Sequence, residues 1–87
     1  SPFASALKFA SLGIVVCGDL TLERHEGFWV QDCSAAVENI LIETSFLGLG
    51  AVWLGVYPLQ DRIEYIKKQF DLSDSIIPFS VIPVGYP

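Results

Sequence analysis

The sequence predicts a layered domain of the α/β or α+β class, in which helices and strands alternate along the chain. The clearest strand is a continuous apolar run at 12–18, and the clearest helix is an amphipathic pattern over 31–47. Two further apolar runs, 51–56 and 79–85, flank a second helical pattern at 62–69. The order helix, strand, helix, strand, helix, strand is compatible with both classes.

The chain begins with the pattern of a helix end followed by a strand. Alanine and leucine at regular spacing favour a helix over residues 3–10. The run LGIVVCG at 12–18 is rich in β-branched residues and lies between glycines, which is typical of a strand covered on both faces. The polar residues at 19–27 then predict a loop.

The helix predicted over 31–47 is the strongest local signal. Its apolar positions should form one buried stripe, made of Ala36, Val37, Ile40, Leu41 and Thr44. We expect Asp32 or Ser34 to satisfy free N–H groups near its start. Gly48 or Gly50 should end it in a left-handed conformation.

The remaining elements are a strand at 51–56, a helix at 62–69 and a strand at 79–85. Asp61 is the expected cap of this helix, and its inward residues should be Ile63, Ile66 and Phe70. Residues 72–78 should form a loop. Pro83 has no N–H, so the last strand should lie at a sheet edge or contain a bulge there.

Composition and charge exclude several functions. Five basic residues against ten acidic ones give a formal net charge of −5, and the basic residues are scattered, which argues against nucleic-acid binding. No run of about 18 uninterrupted apolar residues predicts a membrane span. The two cysteines do not form a CxxC pair, and as free core thiols they favour a reducing, cytoplasmic setting.

The chain is very apolar for its length. Hydrophobic residues make up 52% of 87 residues, whereas a small domain has proportionally more surface to cover with polar groups. The excess should pack against a partner subunit or another part of the same protein. We therefore expect residues 1–87 to be part of a larger domain whose N-terminal portion is missing.

The segment GLGAVWLG, residues 48–55, contains the glycines most relevant to ligand binding. It is not a dinucleotide-binding fingerprint, because these glycines close a helix and precede a strand, whereas the fingerprint follows a strand and opens a helix. Gly55 has no side chain to keep a flat ligand away from the main chain. No nearby side chain has the character of an acid, base or nucleophile, so we predict no catalytic side chain and expect a cofactor to carry the chemistry. We predict no metal site.

Three segments, in this order, resemble the FMN-dependent nitroreductase family. WVQDCSAAVENILIETSFLGLGAVWLGVYP is similar to the family's central helix and its glycine-rich exit, LGIVVCGD to the preceding strand, and IPFSVIPVGYP to the strand ending in Gly-Tyr-Pro. The resemblance implies an α+β fold with a mixed sheet flanked by helices, here its C-terminal half. It also implies a homodimer with FMN at the subunit interface, NAD(P)H as electron donor, and a small-molecule acceptor such as a nitroaromatic or a quinone.

The resemblance also implies where the cofactor and substrate bind. The family's main-chain contact to the flavin ring corresponds to Trp53, Leu54, Gly55 and Val56, and Phe28 and Trp29 would line the substrate side. Each of these aromatic residues is also a plausible core residue. A backbone N–H in this strand would donate a hydrogen bond to the ring, and apolar neighbours would exclude water.

The sequence lacks the family's phosphate-binding Arg-Ser-x-Arg segment. Without such cations an FMN phosphate has no strong partner, so we expect the 87-residue chain alone to be inactive and not to retain FMN. Two alternatives remain: a non-catalytic α/β interaction or structural module, and a family member that uses flavin for a different reaction.

Overall fold

The computed structural model describes residues 6–87 and shows an α+β fold, as predicted. The elements, in chain order, are a 3₁₀ turn Ala6–Phe9, β1 Leu12–Asp19, a 3₁₀ turn Leu20–Leu22, α1 Trp29–Phe46, β2 Gly50–Ala51, β3 Leu54–Gly55, α2 Gln60–Phe70 and β4 Ile76–Gly85. The helix predicted over 3–10 lies partly outside the described residues, and its described part is the first 3₁₀ turn.

β4 is the central strand of the sheet. β1 pairs with one of its edges, while β2 and β3 pair with the other, and all three ladders are antiparallel. The prediction that Pro83 would place this strand at an edge, or put a bulge at Pro83, is therefore wrong. The structure accommodates Pro83 through a gap in the neighbouring strand.

That gap divides the strand predicted over 51–56 into β2 and β3. Both short strands keep one register against β4, with Ala51 opposite Val84 and Leu54 opposite Val81, so Val52 lies opposite Pro83. The backbone groups of alternate β4 residues point to opposite neighbours, and those of Pro83 point towards Val52. Because proline has no N–H to donate, the ladder is interrupted there.

The two helices cover opposite faces of the sheet. Ile82 and Val84 of β4 pack with Cys33 and Val37 of α1, whereas Val81 packs with residues of α2. Successive side chains of a strand point to opposite faces, so the alternation along β4 separates these two clusters. The sheet is thus the middle layer of three.

Glu23 caps the start of α1, which differs from the prediction. Its Oε2 accepts hydrogen bonds from the N–H groups of Gly27, at 2.9 Å, and Trp29, at 3.2 Å. Ser34, one of the two expected caps, instead donates to the carbonyl of Val30. A loop carboxylate reaches these N–H groups because α1 begins at Trp29, two residues earlier than predicted.

The end of α1 follows the prediction. Gly48 adopts a φ of 76°, and its N–H donates to the carbonyl of Ser45 while the N–H of Leu49 donates to that of Thr44. These two bonds form a Schellman motif, in which a glycine takes the left-handed position.

Four smaller predictions are wrong. Ala36 is exposed, since the buried stripe of α1 turns towards Cys33, Val37 and Thr44. Phe70, the last residue of α2, is 58% exposed. The position before α2 is occupied by Leu59, and Asp61 lies inside the first turn. The last strand begins at Ile76, because residues 76–78 pair with the end of β1.

Candidate functional site

Gly55 presents its peptide groups to the outside of the sheet. The N–H of Val56 donates to the carbonyl of Phe79 on β4, at 3.1 Å, and Leu54 is paired with Val81. Backbone groups of successive strand residues point in opposite directions, so those of Gly55 point away from β4. The N–H of Gly55 therefore faces the outer edge of β3.

The side of Gly55 that lacks a side chain faces open space. Chain neighbours aside, a Cβ placed on Gly55 would meet no atom of the described residues within 4 Å. The residue opposite it, Ser80, is small and fully buried, and its hydroxyl has no hydrogen-bond partner among the described residues. The main chain at Gly55 is thus bare and approachable, as a site for a flat ring requires.

Aromatic side chains surround this bare position. The rings of Trp53 and Phe79 lie 5.9 Å apart between centroids, and Phe79 lies 6.0 Å from Trp29. Trp29 also meets Tyr57 edge to face at 4.8 Å. Trp53 and Tyr57 are each two residues from Gly55 and so lie on the same face of the strand. Gly55 therefore leaves a space without a side chain between two aromatic residues.

A β-bulge brings Phe79 to this group. The register between β1 and β4 shifts between Val16, opposite Ser80, and Cys17, opposite Pro78, which leaves Phe79 as the extra residue. Phe79 consequently packs in the α1 cluster with Ile82, although regular alternation would place it beside Val81. Bulges often redirect a side chain in this way near functional sites.

The predicted substrate residues, Phe28 and Trp29, line a cavity of about 500 Å³, and Tyr57 is not among its lining residues. Phe28 is 52% exposed and its ring lies 5.5 Å from that of His25. The cavity lies between the end of β1 and the start of α1, and its lining includes Cys17, Gly18, Asp19, Leu22, Glu23, Arg24, His25, Asp32 and Cys33. Gly55 does not line it, so the structure does not bring the two predicted sets together in one cavity. Trp29 connects them, and the substrate role stays a prediction.

The four predicted cofactor residues differ in what they offer a ligand. Trp53 is 40% exposed, whereas Val56 is fully buried in the α2 cluster and its N–H is already bonded. Leu54 packs beside that cluster and faces β4 with its backbone. Gly55 is the one whose main chain is both bare and outward-facing. The cofactor assignment of these residues stays a prediction.

Arg62 is a site residue that the sequence did not indicate. Its Nη1 donates a hydrogen bond of 2.8 Å to the carbonyl oxygen of Gly55. A basic residue in the first turn of a helix lies at the positive end of the helix dipole, which is unfavourable. The unfavourable position of this arginine in the predicted helix was the signal in the sequence for a functional or structural role, because such a residue needs a compensating partner.

The two thiols beside the cavity are held in their neutral form. Burial raises the pKa of Cys17, and burial, followed by the charges of Cys17 and Asp32, raises the pKa of Cys33. A thiol is nucleophilic only as the thiolate. These cysteines therefore fit a structural role.

Within residues 6–87, no helix is both long and apolar enough to cross a membrane. The two helices are amphipathic or polar elements packed on a sheet.

The fold and the bare glycine edge define the class: an α+β protein with an exposed main-chain site among aromatic side chains.

Comparison with known proteins gives the family. The model of the nitroreductase family matches residues 7–86. A protein of Methanothermobacter thermautotrophicus named "Putative NADH dehydrogenase/NAD(P)H nitroreductase" is 56% identical over 86 residues, which are 99% of this chain and 45% of that protein. The chain belongs to the nitroreductase family.

Solved structures agree with this assignment. A "Putative NADH Oxidase" from Clostridium acetobutylicum has a TM-score of 0.89 at 41% identity, over 99% of this chain and 55% of that one. An FMN-dependent nitroreductase from Clostridium difficile has a TM-score of 0.80 at 27% identity, over 88% of this chain and 46% of that one. The chain thus spans about half the length of the relatives it matches, and its fold is the nitroreductase fold.

Proposed function

We propose that the protein containing this chain is an FMN-dependent oxidoreductase that uses NAD(P)H to reduce nitroaromatics, quinones or similar acceptors. Family membership supports an oxidoreductase. The names of the relatives mention NAD(P)H, which we take as the electron donor, and FMN, which we take as the cofactor. The observation that carries the proposal is Gly55, whose bare side meets no atom within 4 Å in the part of the chain that the structure describes. A site packed under other side chains would have argued against it.

The residues present fit the ring of FMN. The outward N–H of Gly55 would donate a hydrogen bond to the ring, and Trp53 and Tyr57 would flank it and exclude water. When bound, FMN supplies the hydride chemistry. Phe28 and Trp29 would bind the acceptor from the cavity side.

We also propose that the protein is a cytoplasmic homodimer, with FMN at the interface. On the side opposite its buried stripe, α1 exposes the apolar residues Ala35, Ile42 and Phe46, and Phe28 precedes them at its N-cap. Phe46 is 84% exposed. An apolar helix face of this length favours a protein partner over water. Residues 1–87 would then be the C-terminal part of one domain in each subunit.

The test is a measurement on the purified full-length protein. We expect a flavin absorbance spectrum with one FMN per subunit, and oxidation of NADH or NADPH that depends on an added nitroaromatic or quinone. Comparing the two nucleotides and a panel of acceptors would define the substrates. Failure to bind FMN together with no acceptor-dependent oxidation would contradict the proposal. Bound FMN with no reduction of these acceptors would favour a different flavin reaction.

A further inference from the structure

Arg62 and Gly55 form an interaction that the family comparison does not explain. Arg62 is the third residue of α2, and its guanidinium donates to the Gly55 carbonyl across a sequence separation of seven residues. Its charge lies at the end of the helix where cations are disfavoured. The hydrogen bond to the Gly55 carbonyl is one interaction that compensates for placing arginine there.

This hydrogen bond holds the Gly55–Val56 peptide from its outer side, opposite its bond to β4. The Gly55–Val56 peptide is bonded at both ends, through its oxygen to Arg62 and through its N–H to Phe79. Glycine has the widest choice of backbone angles, and none of the side chains in residues 8–87 packs on the open side of Gly55. Without Arg62, the outward carbonyl would lose the side-chain donor that directs it.

We propose that Arg62 is a positioning residue, which holds the Gly55 main chain in the orientation that receives the ring of FMN. The proposal rests on the proposed function. Arg62 acts through Gly55, and it also places a positive charge one hydrogen bond away from the ring site. Arginine suits this role because its planar group is permanently charged and donates in a fixed geometry.

The first test needs no ligand. In the full-length protein without FMN, Arg62→Gln should raise the hydrogen-exchange rate of amides in residues 53–57 by about tenfold, a local opening of about 1.4 kcal/mol. Lys68→Gln, which removes one positive charge from the exposed side of the same helix, should leave these rates unchanged. Arg62→Lys should give an intermediate rate. Equal exchange in the Arg62→Gln and Lys68→Gln proteins would overturn the proposal.

The second test measures FMN binding and the reduction potential of the bound flavin. Arg62→Gln should raise the Kd for FMN about tenfold and lower the reduction potential, because a nearby positive charge favours the more electron-rich form. Arg62→Lys should keep most of the potential but less of the affinity. Lys68→Gln should change neither. If Arg62 had a purely structural role, the reduction potential of the bound flavin would not be restored in the Arg62→Lys variant.

The outcomes separate this proposal from the proposed function. If the unaltered protein binds FMN and Arg62→Gln leaves the affinity and potential unchanged, Arg62 is not a positioning residue and the proposed function stands. If the unaltered protein binds no FMN, the proposed function and the flavin-directed part of this proposal both fail. Should Arg62→Gln not fold, Arg62→Lys decides the matter, since it retains the charge and alters only the geometry.

Discussion

Gly18 and Trp29 pack so closely that the indole ring occupies the space where a Cβ at position 18 would lie. An added Cβ on Gly18 would overlap Cε3 of Trp29. Gly18 lies near the end of β1, and Trp29 begins α1. This contact fixes the ring that then meets Tyr57 and Phe79, so a glycine remote from Gly55 determines one wall of the candidate site.

The first prediction follows from that contact. Gly18→Ala should lower the free energy of unfolding by about 1–3 kcal/mol, the range for overpacking a core, as measured by urea denaturation. The cost should be much smaller in a Trp29→Leu background, because the ring atoms that clash are gone. An equal cost in both backgrounds would show that the glycine is required for another reason.

Gly55 and Gly48 provide a matched pair for the second prediction. Gly55→Ala should leave the thermal midpoint of the ligand-free protein nearly unchanged, since its Cβ meets no atom among the described residues, but weaken FMN binding by about tenfold, or about 1.4 kcal/mol. Gly48→Ala should lower the thermal midpoint, because its φ of 76° disfavours a side chain by about 1–2 kcal/mol, and should leave FMN binding nearly unchanged. Calorimetry and FMN titration of both variants check this. Undiminished FMN binding in Gly55→Ala would contradict the ring site.

Local signals in the sequence were sufficient for the main elements. The apolar run of β1, the periodicity of α1 and the glycine that ends it at Gly48 each depend on neighbours within a few residues, and each was predicted correctly. Pro83 was misjudged because its tolerance depends on a gap in another strand. The carboxylate of Glu23 was missed because it reaches its N–H groups through a loop whose path the sequence does not reveal.

The candidate site was predicted only in part, because some of its residues are brought there by contacts between distant parts of the chain. Gly55 was identified from its residue type and from a family resemblance. Phe79 was not, because a register shift between β1 and β4 turns it to the α1 face. Arg62 was not, because its partner is a carbonyl, a group that every residue carries, so its unfavourable position in the first turn of α2 did not identify the partner.

The cap of α1 gives the third prediction. Glu23→Ala should reduce the free energy of unfolding by about 1 kcal/mol, the usual cost of losing a helix cap, because the N–H groups of Gly27 and Trp29 lose their acceptor. Glu23→Gln should cost less, since an amide oxygen still accepts. Glu26→Ala, an exposed residue of the same loop, is the matched control and should have little effect. Chemical denaturation of the three variants distinguishes a specific cap from a general loss of negative charge.

The thiols give the fourth prediction. Because the pKa values of Cys17 and Cys33 are raised in the folded protein, both thiols should react with maleimide at pH 8 at least about tenfold more slowly than in the urea-unfolded chain. The neutral form is favoured by folding, so this contribution to stability is complete below the unfolded pKa and is lost as pH rises through the folded pKa. Cys33→Ala should therefore flatten the alkaline decrease in stability. Native labelling as fast as unfolded labelling would contradict the assignment of both thiols as structural.

The last prediction concerns the 87-residue chain by itself. Gly55 and its aromatic neighbours provide a surface for the ring of FMN, but the sequence has no Arg-Ser-x-Arg segment for the phosphate, and Arg62 is engaged with the Gly55 carbonyl. A charge-assisted pairing with phosphate is among the stronger polar contacts a protein makes, so its loss should be decisive. We expect the isolated chain, purified and mixed with equimolar FMN at micromolar concentration, to show the spectrum and fluorescence of free flavin. The full-length protein under the same conditions should quench the fluorescence, and stoichiometric binding by the isolated chain would show that these residues hold the cofactor without further cations.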